Sequence, residues 1–164
     1  MESDSKVQEQ IALVIDQANH LEWRLSMLLS IVLRPVNSDY GHVLEKAMHN
    51  TVISFGSKLL LVRSILDYWS WDDLQKKVGA IDDVIRMRNA FAHTSTAKRQ
   101  LHVDKRNHTV IANEMIVESK NGRKLEVIER TKAFNRFKKA YKSSLQVLSE
   151  IENRIENKIP QPGT

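Results

Sequence analysis

Three residues whose side chains suit phosphate chemistry lie close together in the middle of the chain: Arg88, Asn89 and His93. RNA can be cut without a metal when its own 2′-hydroxyl attacks the adjacent phosphate, a reaction that needs a base, an acid and a cation. The guanidinium of Arg88 is a planar cation that matches phosphate oxygens. His93 can accept or give a proton, since imidazole has an unperturbed pKa of about 6.5. Asn89 can orient the histidine or hold the phosphate.

An amphipathic helix that begins near Trp71 is predicted to position these residues. At about 100° per residue, Arg88 falls at the centre of the apolar arc. The arc comprises Val78, Ile81, Val84, Ile85, Phe91 and Ala92. Asn89 and His93 lie one turn apart at its edge, with Arg86 beside them. An arginine at the centre of a buried face needs a partner, because an unpaired buried charge costs several kcal/mol.

Two other predicted helices also place one charge on the face that should be buried. A long first helix, from Ser3 or Asp4 to Leu33, carries Glu22 there, and a helix that starts at Phe55 carries Lys58. We therefore predict that Glu22 lies within hydrogen-bonding reach of Lys58 or Arg88. Such a network can form a polar floor that holds Arg88 for catalysis, or it can only fix helix register.

The stretch Arg-Asn-x-x-x-His resembles the Arg-x4-His signature of the HEPN superfamily, small helical bundles of which many are metal-independent RNases. Arg88, Asn89 and His93 match its three positions. Leu21-Glu22 in the first helix, and the Phe55-Gly56-Ser57-Lys58 start of another, resemble the mannitol operon repressor-like and abortive-infection-like branches. The resemblance implies a homodimer with a composite site, which would supply the second histidine that a two-proton-transfer reaction needs.

The predicted fold class is all-α, a HEPN-like helical bundle of four to five helices with a small β-hairpin inserted before the last helix. Asn121-Gly122 is a hairpin turn signal between two β-rich segments. The last helix is predicted from Thr131 to about Lys158. We expect a single HEPN-like helical domain over residues 1–158 and a disordered tail over 159–164.

The net charge of +5 is concentrated in one block. Residues 98–142 carry 13 Lys and Arg against 5 Asp and Glu, a net of +8, whereas the flanking parts are weakly acidic. This block predicts an RNA-binding surface; the alternative is a solvated hairpin and helix face. The candidate RNA-binding residues are Arg86, Lys120, Arg123, Lys124, Lys138 and Lys139.

Composition argues against several other classes of protein. The chain has no cysteine, which excludes disulfides and thiolate metal sites. The histidines outside the motif lack the spacing to carboxylates that a metal site needs, so we expect neither metal nor cofactor. No apolar run approaches the roughly 20 residues of a membrane span, and the N-terminus does not resemble a signal peptide, so a cytoplasmic protein without membrane contact is expected.

Three functions are compatible with these features. The first is an endoribonuclease of toxin or phage-defence type, acting as a homodimer, for which an antitoxin protein is a candidate partner. The second is a non-catalytic HEPN-like regulatory module, similar to the mannitol repressor branch, that binds nucleic acid, nucleotide or a partner protein. The third is a plain dimeric scaffold. The intact set of Arg88, Asn89 and His93 favours the first.

Overall fold

The computed structural model describes residues 2–33, 46, 48, 52–92, 99–104, 109–120 and 124–158. This part of the chain is mostly helical, as the predicted all-α class requires. The helices are α1 (Glu2–Val32), α2 (Phe55–Tyr68), α3 (Asp72–Lys77), α4 (Gly79–Ala92) and α5 (Arg130–Lys158). The strands are β1 (Arg99–Asp104), β2 (Thr109–Lys120) and β3 (Lys124–Glu129).

The two long helices have the bounds that the sequence predicts. In α1 an apolar residue recurs every three or four positions, and the central members of that stripe are buried. They are Val14, Ala18, Leu21, Leu25 and Leu28. In α5 the fully buried positions include Phe137, Leu148, Ile151 and Ile155, whereas Phe134 and Tyr141 are half-buried. The period of the apolar residues therefore sets the inner face of both helices.

The segment that precedes the motif differs from its prediction. Instead of one helix from Trp71, α3 ends at Lys77 and α4 starts at Gly79. Ser70 has a left-handed φ of 56°, and Trp71 occupies the N-cap position without a side-chain hydrogen bond. The stretch Ser70-Trp71-Asp72-Asp73 resembles a capping box, which predicts a side-chain cap at this helix start; that prediction is wrong. By contrast, Ser54 does cap α2, because its hydroxyl accepts a 3.2 Å hydrogen bond from the Ser57 amide.

The predicted β-hairpin is confirmed, and one further strand extends it. β2 and β3 pair antiparallel, from Met115 opposite Glu129 to Lys120 opposite Lys124. The additional strand, β1, pairs antiparallel with the first half of β2, over residues 109–114. The strand order is β1-β2-β3, so the two halves of β2 pair with different partners.

The chain forms two compact units. One comprises residues 1–16 and 86–139, and therefore holds the sheet and the end of α4. The other comprises residues 17–85 and 140–164, with most of α1 and α5. The single domain over residues 1–158 stays a prediction. The predicted tail over residues 159–164 lies outside the described residues.

Candidate phosphate-binding site

Arg88 and Asn89 lie in the last turn and a half of α4 and contact each other directly. Nη1 of Arg88 donates a 3.2 Å hydrogen bond to Oδ1 of Asn89. Arg88 is half-buried and Asn89 is exposed. Among the described residues, Arg88 forms no ion pair with a carboxylate, so its charge is not neutralised by a described partner. The contact holds one edge of the guanidinium, and a planar fork with five N–H groups keeps further donors for a phosphate.

The buried face of α4 is centred elsewhere than the sequence predicts. The buried residues of this helix are Ile81, Val84, Met87, Ala90 and Phe91, whose directions average about 270° when Ile81 is set at zero. The predicted arc omitted Met87 and included Ala92, which is exposed. Arg88 consequently lies about 70° from the centre, at the margin of the buried face. The prediction of a buried Arg88 is wrong, and a guanidinium at this margin can reach solvent.

The other two predicted buried charges are buried and paired with each other. Lys58 is fully buried, Glu22 is 5% exposed, and Nζ of Lys58 donates a 2.9 Å hydrogen bond to Oε1 of Glu22. The predicted contact of Glu22 with one of two cations is therefore confirmed for Lys58. An ion pair withdrawn from water in this way constrains the register of α1 against α2, since either charge alone would be costly.

Aromatic contacts connect the end of α4 with the start of α5. The rings of Phe91 and Phe134 meet edge to face, with 6.4 Å between centroids and 61° between planes. Nζ of Lys138 lies 4.9 Å from the centroid of Phe134, a cation–π contact. Phe91 is three positions from Arg88, so this chain of contacts brings a lysine of the basic block to the helix that carries the motif.

Another cation of the basic block is buried and hydrogen-bonded within the fold. Arg130, the first residue of α5, is buried and donates a 2.9 Å hydrogen bond from Nη2 to the carbonyl oxygen of Val7. The sequence offers no signal for this role, since an arginine at the start of a basic helix is indistinguishable from its exposed neighbours. Arg130 therefore does not belong to the surface that could bind RNA.

The remaining predicted site residues are placed as follows. Arg86 is half-buried, and Lys138 and Lys139 are exposed. Lys120 and Lys124 form the closing pair of the β2–β3 ladder, a placement that concerns their backbone. His93 and Arg123 lie outside the described residues, so their predicted roles stay predictions.

Within the described parts of the chain, no group of three or more His, Asp or Glu side chains is arranged to hold a metal ion. In the same residues, no helix combines the length and apolarity needed to cross a membrane. Comparison with protein-family models, with curated proteins and with solved structures finds no match to this chain.

Proposed function

We propose that this chain is a metal-independent endoribonuclease of the HEPN type, belonging to the toxin or phage-defence class and working as a homodimer. The observation that carries the proposal is the contact of Arg88 with Asn89 near the end of α4. It orients a half-exposed guanidinium four residues before the last helical position, Ala92, and His93 follows directly.

The proposed reaction starts with proton removal from the 2′-hydroxyl by one His93. The 2′-oxygen then attacks the adjacent phosphorus and the bond to the 5′-oxygen breaks. The products are a 2′,3′-cyclic phosphate and a 5′-hydroxyl, whose proton comes from a second, protonated histidine. Arg88 donates to the non-bridging oxygens, which carry more charge in the transition state than in the substrate.

The position of Arg88 at the margin of the buried face supports this role better than the predicted central position would. A fully buried guanidinium needs a buried anion of its own and cannot reach a substrate. A half-exposed one keeps donors for phosphate, while Asn89 limits its rotamers and so lowers the entropic cost of binding.

Two requirements of the reaction point to a second copy of the chain. One motif contains one histidine, whereas the reaction needs a base and an acid at the same time. A twofold axis beside the motif would bring two copies of His93 to one phosphate. The basic block supplies the attraction for RNA, with Lys138 held by Phe134 on the side of α5 that contacts the motif helix.

The test is cleavage of mixed RNA by the purified protein in excess chelator. Wild type should release fragments that end in a cyclic phosphate. Arg88→Ala and His93→Ala should each lower the rate by at least about 100-fold, the scale of losing one electrostatic or acid–base group. Arg63→Ala is the matched control, because Arg63 is also a half-buried helical arginine but pairs with Asp82. Chelator-resistant cleavage that survives His93→Ala would exclude the proposed chemistry. RNA binding without cleavage would favour the non-catalytic regulatory module.

A further inference from the structure

A hydrogen-bonded histidine–tyrosine pair lies beside an exposed tryptophan in the unit formed by residues 17–85 and 140–164. Nδ1 of His20 lies 2.8 Å from the hydroxyl oxygen of Tyr141. The rings of His20 and Trp23 are nearly parallel, with 21° between planes and 6.3 Å between centroids. Tyr141 presents its edge to His20, at 62° and 6.4 Å. Three aromatic side chains from α1 and α5 thus form one cluster.

This cluster is open to solvent on the side of the indole. Trp23 is 55% exposed, and His20 is exposed as well. An exposed indole offers a large flat apolar surface at little conformational cost, since only two side-chain torsions have to be fixed. The near-parallel imidazole of His20 adds a second exposed aromatic ring beside the indole.

The hydrogen bond with Tyr141 determines which atom of His20 faces a ligand. Because Nδ1 is engaged, Nε2 is the ring nitrogen left over, and no described residue bonds to it. If the tyrosine hydroxyl donates to Nδ1, the proton of the neutral imidazole is on Nε2, which then serves as a donor. The cluster therefore combines a flat stacking surface with one fixed polar atom at its edge.

The guanidinium that follows Trp23 in the sequence is already paired with a carboxylate. Arg24 pairs with Glu152 and also bonds to Ser149. Stacking and one hydrogen bond, and not the charge of Arg24, would therefore hold a ligand, which fits a planar heterocycle with one hydrogen-bonding edge. We propose that Trp23, His20 and Tyr141 form a nucleobase-binding platform, in which a base stacks on Trp23 and its polar edge or adjoining phosphate accepts from Nε2 of His20. This proposal does not rest on RNA cleavage.

The base can come from a free mononucleotide or from single-stranded RNA, and binding measurements distinguish the two sources. The probes are adenosine 5′-monophosphate and a 2′-O-methyl oligonucleotide of about ten nucleotides, which cannot be cleaved. Quenching of tryptophan fluorescence should accompany binding to wild type, and titration calorimetry measures the affinity of every variant, since the Trp23 substitutions remove the fluorophore. Measurement at about 0.5 M salt suppresses phosphate contacts made by the basic block. Tight binding of the oligonucleotide alone would identify RNA as the source, and binding of both probes would identify the base itself.

Substitutions on α1 separate stacking from general apolar contact. Trp23→Ala should weaken binding of the probe about 5- to 100-fold, the measured scale for losing one base–aromatic stack. Trp23→Phe should restore most of the affinity, and Tyr141→Phe should weaken it several-fold by releasing His20. Ile31→Ala is the matched control, since Ile31 is equally exposed on the same helix and has no ring. Unchanged binding in Trp23→Ala would overturn the platform, as would equal losses in Trp23→Ala and Ile31→Ala together with loss of self-association, which would identify a protein interface.

Discussion

Lys58 reaches Glu22 across 36 positions of sequence, and their 2.9 Å hydrogen bond lies inside the core, where Lys58 has no exposed surface. Removing Glu22 takes the carboxylate away from a fully buried cation, so the charge of Lys58 is no longer balanced by it. We expect Glu22→Ala to lower the free energy of unfolding by about 3–5 kcal/mol, and Glu22→Gln to lower it less. Urea unfolding followed by circular dichroism measures both.

An exposed ion pair provides the control for this prediction. Asp82→Ala breaks the ion pair between Arg63 and Asp82, whose side chains are 34% and 44% exposed. It should lower the free energy of unfolding by less than about 1 kcal/mol. Replacing both buried partners, as in Glu22→Leu with Lys58→Met, should recover much of the stability lost in Glu22→Ala. A Glu22→Ala variant as stable as wild type would mean that the ion pair with Glu22 is not needed to keep Lys58 in the core.

The pair of Asp73 with Arg154 predicts a dependence of stability on pH. Hydrogen bonds from the Arg154 guanidinium lower the pKa of Asp73 from its ordinary value of 3.8. Because the folded pKa is the lower one, the stabilisation is complete above the unfolded pKa and is lost as the pH falls through the folded one. The stability gap between wild type and Asp73→Asn should therefore be present at neutral pH and shrink below about pH 4.

Asp72→Asn is the control for this titration, because Asp72 is exposed in the same first turn of α3 and forms no ion pair with a described residue. Both substitutions remove a carboxylate from the N-terminal end of a helix, so the macrodipole contributes to each. Thermal unfolding from pH 7 to pH 2.5 compares them. A gap for Asp73→Asn that persists to the lowest pH would rule out the ion pair as its source.

RNA binding by the basic block should depend steeply on salt. Neutralising four of its residues, Lys120, Lys124, Lys138 and Lys139, should weaken binding about equally across RNA sequences. It should also flatten the slope of log affinity against log salt by about 3 units, since each lost phosphate contact contributes roughly 0.7. Fluorescence anisotropy over a salt series measures the slope. Replacing Lys46 and Lys76, two exposed lysines outside the block, by glutamine should leave the slope unchanged.

Self-association should place two copies of α4 near a twofold axis. Sedimentation at tens of micromolar should give a dimer. The chain has no cysteine, so a spin label can be attached at a single introduced position. A label at Ala92→Cys should report a shorter distance between copies than one at Tyr68→Cys, which marks the exposed end of α2. A monomer, or a longer distance at Ala92, would contradict the composite site.

The period of the apolar residues is sufficient to predict which face of a helix is buried where that face is strongly apolar. Glu22 and Lys58 could be located on buried faces because α1 and α2 each carry a long regular stripe, which leaves little freedom in the angle of a given residue. The prediction for Arg88 is wrong because the expected arc includes Val78, Ile85 and Ala92, which are not among the buried residues of α4, and omits the buried Met87 and Ala90. In a short helix, an arc that rests on few residues shifts by tens of degrees when several of them are exchanged.

Tertiary pairing explains most of what the sequence did not reveal. Strand β1 has only two apolar residues, Leu101 and Val103, so its alternation is too short to predict a strand without its partner. The platform around Trp23 joins residues 121 positions apart, His20 and Tyr141. No local pattern in either helix indicates that contact.

The tandem pairing along β2 has a consequence for how the sheet opens. Residues 109–114 are held by β1 and residues 115–120 by β3, so no residue of β2 is held by both. Each half is a two-stranded ribbon, a structure that is marginally stable by itself in water. Amide hydrogen exchange should therefore resolve two separate opening events in one strand, with the change of rate between Glu114 and Met115, instead of a single cooperative melting of the whole sheet.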